Sequence, residues 1–208
     1  MKFLYRKILE EVPKATVQAD LDRYRQRALQ SGATDARIIS TNNIIIDERV
    51  RAKCLLPRCE NYGTSAHCPP HAPALDEVRA IVAKFQYAVL FKFDAPSATL
   101  EEGDRTYALK SNELVTVLES QAYYDGYYLA VGFGGTACKG LLCTNDCQAL
   151  EPGQSCRFPY QARVSMHGAG MDVYRMAARE GWEIYPVGAA TTPSDVPFVS
   201  YIGLVLVY

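Results

Sequence analysis

Seven cysteines fall into two groups with a shared spacing, and thiolates bundled in that way suit soft metals and iron–sulfur clusters. The first group is Cys54-x4-Cys59-x8-Cys68, followed by Pro69-Pro70. The second is Cys138-x4-Cys143-x3-Cys147-x8-Cys156, with Pro159 three residues on. Structural zinc usually takes two C-x2–4-C knuckles, tight enough for two thiolates to share one tetrahedron. Neither group contains C-x2-C. C-x4-C-x3-C with a later cysteine is close to the plant-type C-x4-C-x2-C…C ferredoxin pattern, though the x3 departs from it, and a proline soon after the last cysteine is similar to the C-P ending of bacterial ferredoxin runs. The spacing therefore predicts two iron–sulfur clusters of the 4Fe–4S type. Zinc is the alternative cofactor, with Cys138, Cys143, Cys147 and Cys156 as a four-thiolate site.

The groups are unequal. The second can close one cluster alone. The first has three cysteines, so its fourth position needs another ligand, a thiolate from the other group, or stays open to water or substrate. His67 and His71 bracket Cys68-Pro69-Pro70, and imidazole substitutes for thiolate in some iron–sulfur sites. His71 is taken as the candidate metal ligand, against a reading of both as polar loop residues. Arg49, Arg51 and Lys53 alternate into Cys54, so on a strand they would share one face, and Arg58 adds a fourth charge. Their functional reading is a cofactor-binding patch for an anionic partner, a phosphate or a negative cluster. The plain reading is a solvated strand edge guarded against pairing.

Other motifs carry less. Gly132-x-Gly134-x-x-Ala137 matches a dinucleotide fingerprint in form, but that motif needs a helix at its end and a cysteine-rich loop follows. The glycines read instead as room for close backbone approach. Tyrosines such as Tyr123, Tyr124, Tyr127 and Tyr128 read as packing residues. His167, near Ser165 and Asp172, has no triad spacing and reads as a cap or core contact.

These residues need elements to hold them. The 208 residues are 49% apolar with net charge −1, enough for a core and no argument for nucleic-acid binding. The charged start MKFLYRKILEEVPK leaves no apolar signal region, and the longest apolar run, Val199–Tyr208, is too short to span a bilayer. The expectation is a cytoplasmic chain, where thiols stay free for metal. Helical spacing predicts Pro13–Leu29, Pro73–Lys84, Asp104–Tyr124 (with Leu109, Leu114, Val117 and Leu118 inward) and Met171–Glu180. Strands are predicted at Tyr87–Phe93, Tyr127–Phe133, Glu183–Val187 and Val199–Val207, with a hairpin over Ala36–Arg51 turning at Thr41–Asn43. The class is α/β or α+β: one compact domain over 1–208, a mixed sheet flanked by helices, and both cysteine groups on loops.

Three motifs together resemble a known family. They are VRAKC…C-x-x-YG-x4-CPP at 50–70, GG-x-x-CK-x2-LC-x3-C at 134–147, and CR-x-P-x2-AR-x-SM-x3-G-x-DV at 156–173. They are similar to the bacterial and archaeal "predicted metal-binding protein" family, domain of unknown function 2284, over roughly residues 40–185. The chain has Phe158, Val164 and His167 where that family often has histidine, proline and an acidic residue. The resemblance implies metal binding through the cysteines and brings no reaction. The residues then support three functions: an iron–sulfur electron carrier with a redox partner protein, an enzyme using an open iron on a small anionic ligand, or a zinc-stabilised interaction module. Nucleic acid and membrane are not expected partners.

Overall fold

The computed structural model describes residues 5–102, 104–144, 146–188 and 190–208. Residues 1–4, the start of the segment read above for a signal, lie outside the described residues. Four strands make one sheet: β1 (Asp35–Ser40), β2 (Tyr87–Pro96), β3 (Val131–Phe133) and β4 (Phe198–Leu206), in the order β1-β2-β4-β3. All three pairings are antiparallel, so the sheet is not mixed and the fold is the α+β form of the expected class. Among the described residues there are six α-helices: α1 (Lys14–Gln30), α2 (Glu48–Ala52), α3 (Leu75–Val82), α4 (Thr99–Glu102), α5 (Thr106–Tyr124) and α6 (Val173–Arg179).

Strand periodicity sorts the core. Successive side chains point to opposite faces. Val89, Phe91 and Phe93 of β2 and Val205 of β4 meet Val17, Leu21 and Tyr24 of α1 and Leu114, Val115 and Leu118 of α5. Ala88, Leu90, Ile202, Leu204 and Leu206 meet Val78 and Val82 of α3, Met176 and Ala177 of α6, and Met166 and Met171. Both faces are covered, which is why β2 and β4 read as near-continuous apolar runs. Glycine sets the distance of α5. A Cβ on Gly132 would stand 2.4 Å from Val115 Cγ1. One on Gly203 would stand 2.5 Å from the Phe91 ring and 2.8 Å from Val115 Cγ2. The two glycines are the space into which Val115 packs.

Several expectations are corrected. Residues 36–51 are not a hairpin. β1 pairs with β2, Thr41–Asn43 form a 3-10 turn, and the chain then enters α2. The cause is Asp47, whose carboxylate accepts the Arg49 N–H at 2.8 Å and caps that helix. Arg49, Arg51 and Lys53 therefore do not share a strand face, because positions two apart on a helix point to roughly opposite sides. Glu183–Val187 is irregular, since Pro186 lacks an N–H for a ladder. Of the inward positions named on α5, Leu109 is exposed, and Ala108 and Val115 are buried instead.

Candidate metal centre

All seven cysteines lie outside the named helices and strands, and none is paired in a disulfide. In each group the C-x4-C step is a tight turn. The Cys59 N–H donates to the Cys54 carbonyl at 3.0 Å, immediately after α2. In the second group the Gly140 N–H donates to the Cys143 carbonyl at 2.8 Å and the Leu142 N–H to the Cys138 carbonyl at 2.8 Å. Gly140 takes φ +83°, which that turn requires and only glycine adopts readily.

The stretch 65–68 joins the groups. Cys68 belongs to the first. Three residues earlier, the fully buried Ser65 sets its hydroxyl 3.6 Å from Cys138 Sγ. The Ala66 N–H donates to Cys147 Sγ at 3.4 Å, and His67 Nδ1 lies 3.5 Å from Cys138 Sγ. The Phe158 N–H donates to Cys156 Sγ at 3.3 Å. Donors aimed at sulfur in this way stabilise anionic thiolates.

The turn 165–171 is the second hub. It hangs on β3 through the Gly134 N–H to the Val164 carbonyl and the Met166 N–H to the Gly134 carbonyl, both 2.9 Å. It also holds the segment entering α2, through the Asp47 N–H to the Gly170 carbonyl (2.9 Å) and the Asp172 N–H to the Ile45 carbonyl (2.8 Å). Between this turn and the first loop lies a cavity of about 260 Å³, lined by Cys54, Cys59 and Cys68, by Asn61 and Tyr62, and by Ser165 and His167 among others. That is several times the ~30 Å³ share of one water. Among the described residues no three Cys, His, Asp or Glu side chains meet at one metal-binding point; the three thiols ring a space. A larger apolar groove of about 770 Å³ lies between Ile8–Val12 and Gly126–Val131, away from every cysteine and histidine. Three of the seven cysteines line the smaller cavity and none lines the groove.

Burial favours the neutral form of several of these thiols. Burial pushes the Cys68 thiol up to about 11, and the neighbouring Cys138, Cys59 and Cys54 add to that against the Ser65 hydrogen bond. Burial likewise raises Cys54, Cys138 and Cys143. Crowded thiols resist ionising together, and a metal ion reverses the balance by its own charge. Arg51 supplies part of it. Its guanidinium is half-buried beside Cys54, donates to the Pro73 carbonyl at 2.9 Å, and has a buried Nε with no partner. Seven thiols, donors aimed at sulfur and an unspent guanidinium N–H fit an anionic thiolate-bound centre.

The other candidates scatter. Arg49 is turned outward onto Asp47 at 2.6 Å. Lys53 is exposed, and Arg58 lies over the Tyr62 ring at 5.3 Å. His71 is exposed and does not line the cavity; His67 faces the second group. The histidine at the cavity is His167, which sequence reading set aside. It is exposed at the mouth, yet enough protein surrounds the ring that desolvation lowers its pKa below the ordinary histidine value. Ser65 was also missed. No spacing rule finds either, because both reach the site only through the fold. The glycine fingerprint at 132–137 has no helix after it, in keeping with its rejection.

Two cysteine loops packed on a shared segment at the end of a helix-covered antiparallel sheet define a cysteine-rich candidate metal-binding protein. The chain belongs to the family described as "Predicted metal-binding protein (DUF2284)", whose model matches residues 37–207, a span that holds both loops and the 165–171 turn. No curated protein and no solved structure matches the chain. No helix among the described residues is long and apolar enough to cross a membrane.

Proposed function

We propose that this protein is a cytoplasmic iron–sulfur electron carrier with two centres of the 4Fe–4S type, one on Cys138, Cys143, Cys147 and Cys156 and one on Cys54, Cys59 and Cys68. The observation that carries the reading is the 65–68 segment, which brings a first-group cysteine and three contacts to second-group sulfurs within four residues. Bound clusters would supply one-electron couples. The protein's own part is to hold the thiols, direct N–H and O–H groups at them, and balance charge at Cys54 through Arg51. Adjacent centres suit passing an electron inward from one redox partner protein and outward to another.

The cavity beside Cys59 favours a second reading, an enzyme that binds a small anionic ligand at an open metal position with Arg51 as counter-ion. Zinc in the four-cysteine site is the third. Anaerobic purification followed by iron, acid-labile sulfide and zinc analysis separates them. The expected result is iron with sulfide, falling in both Cys59→Ser and Cys143→Ser variants. Stoichiometric zinc without sulfide defeats the proposal, and unchanged iron in Cys59→Ser defeats its two-centre form.

A further inference from the structure

Resting on the reading of Cys54, Cys59 and Cys68 as ligands of one metal centre, we propose that His167 supplies the fourth protein donor to that centre. His167 lines the same cavity as the three thiols. The histidines nearest in sequence do not: His71 points to solvent, and His67 is engaged with Cys138 at 3.5 Å. The remaining side chains around the cavity are neutral oxygen donors such as Ser165, Thr136 and Tyr62, which suit hard cations, whereas imidazole suits iron and zinc.

The turn that carries His167 is built to hold it still. Met166, Ala169 and Met171 around it are fully buried, while His167 alone faces out at the mouth. The Ser165 hydroxyl accepts the Gly168 N–H at 2.9 Å, and the Gly170 N–H donates to the His167 carbonyl at 2.9 Å. Gly170, at φ +78°, stands where a Cβ would come within 2.3 Å of Leu75. That base fixes the backbone from which His167 projects, and its ring packs beside Tyr174 at 6.0 Å between centroids. With its fourth position filled, the first centre has no vacant site for a substrate, which favours electron transfer over catalysis at that position.

The test uses the full chain purified anaerobically, as wild type, His167→Ala, His167→Cys and His71→Ala. Pulsed EPR of the dithionite-reduced protein reads nitrogen hyperfine coupling, and iron and sulfide are counted in parallel. Wild type and His71→Ala are expected to show a coupled imidazole nitrogen. His167→Ala is expected to lose that coupling and the iron of one centre, and His167→Cys to lose the coupling but keep the iron. No coupled nitrogen in wild type, or a nitrogen that survives His167→Ala, overturns the proposal. If the metal is zinc, the iron–sulfur reading fails separately. X-ray absorption at the zinc edge then decides His167 by whether a nitrogen shell is present and is lost in His167→Ala.

Discussion

On the proposed two-cluster reading, Ser65→Ala should move the reduction potentials of both centres while leaving the metal bound. The Ser65 side chain is buried, its hydroxyl lies 3.6 Å from Cys138 Sγ, and it favours the ionised form of the neighbouring Cys68 thiol. A hydrogen bond to a charged group contributes about 1.5–3 kcal/mol, and roughly half of that should distinguish the reduced from the oxidised centre. At about 59 mV per tenfold for one electron, this is a shift of about 30–65 mV. The reduced state carries more negative charge on sulfur, so losing a donor makes the potential more negative. One hydroxyl has one proton, so the shift is shared between the centres. The assay is an EPR-monitored redox titration of wild type and Ser65→Ala, with iron counted before and after. Thr64→Ala is the control, because its hydroxyl donates to the Glu60 carbonyl at 3.1 Å and touches no sulfur. Unchanged potentials in Ser65→Ala, or a shift toward positive values, would refute the bridging role of this segment.

Two further predictions concern the frame. Gly203→Ala forces a Cβ to 2.5 Å from the Phe91 ring and 2.8 Å from Val115, so urea unfolding should show a loss of about 1–3 kcal/mol; an unchanged midpoint would mean that α5 is free to withdraw. Asp20 is buried. Desolvation alone would raise its pKa, but hydrogen bonds from Arg6, Arg23 and Tyr127 outweigh that and hold it below the ordinary value. A depressed folded pKa gives stability that is present above the unfolded pKa and lost as pH falls through the folded one. Asp20→Asn should therefore cost about 1–3 kcal/mol at pH 7, with the gap to wild type narrowing below about pH 4 in thermal melts; an equal gap at both pH values would show that the charge is not the source.

Much of the frame was legible because it rests on short-range periods. Val17, Leu21 and Tyr24 keep helical spacing and are buried in α1, and the runs of β2 and β4 are apolar on both faces because both faces are covered. The failures have local causes that outweigh composition. Ile44–Ile46 look like a returning strand. Asp47 then caps a helix, and the segment instead makes a single bridge between Ile46 and Met171. Residues 183–187 are apolar enough for a strand, but Pro186 interrupts the donors and Ile184 packs onto the core from irregular backbone. Basic residues at alternate positions meant one face only if the backbone was extended. In α2 the same spacing sends Arg49 to solvent and Arg51 toward Cys54.

The site divides along the same line. Cysteine spacing is a local property, and it correctly marked two loops outside the regular elements. What closes those loops on each other is not local. Gly134 pairs with Ser165 beyond the end of β3, Ile46 pairs with Met171, and residues 65–68 reach under the second loop. These three contacts bring four segments, far apart in the chain, to one end of the sheet. They also decide which histidine lines the cavity. His71 is nearer to Cys68 in sequence but is exposed and does not line the cavity, whereas the turn bridged to Gly134 brings His167 to it. In a metal centre whose ligands come from separate loops, proximity in sequence assigns the first ligands and topology assigns the last.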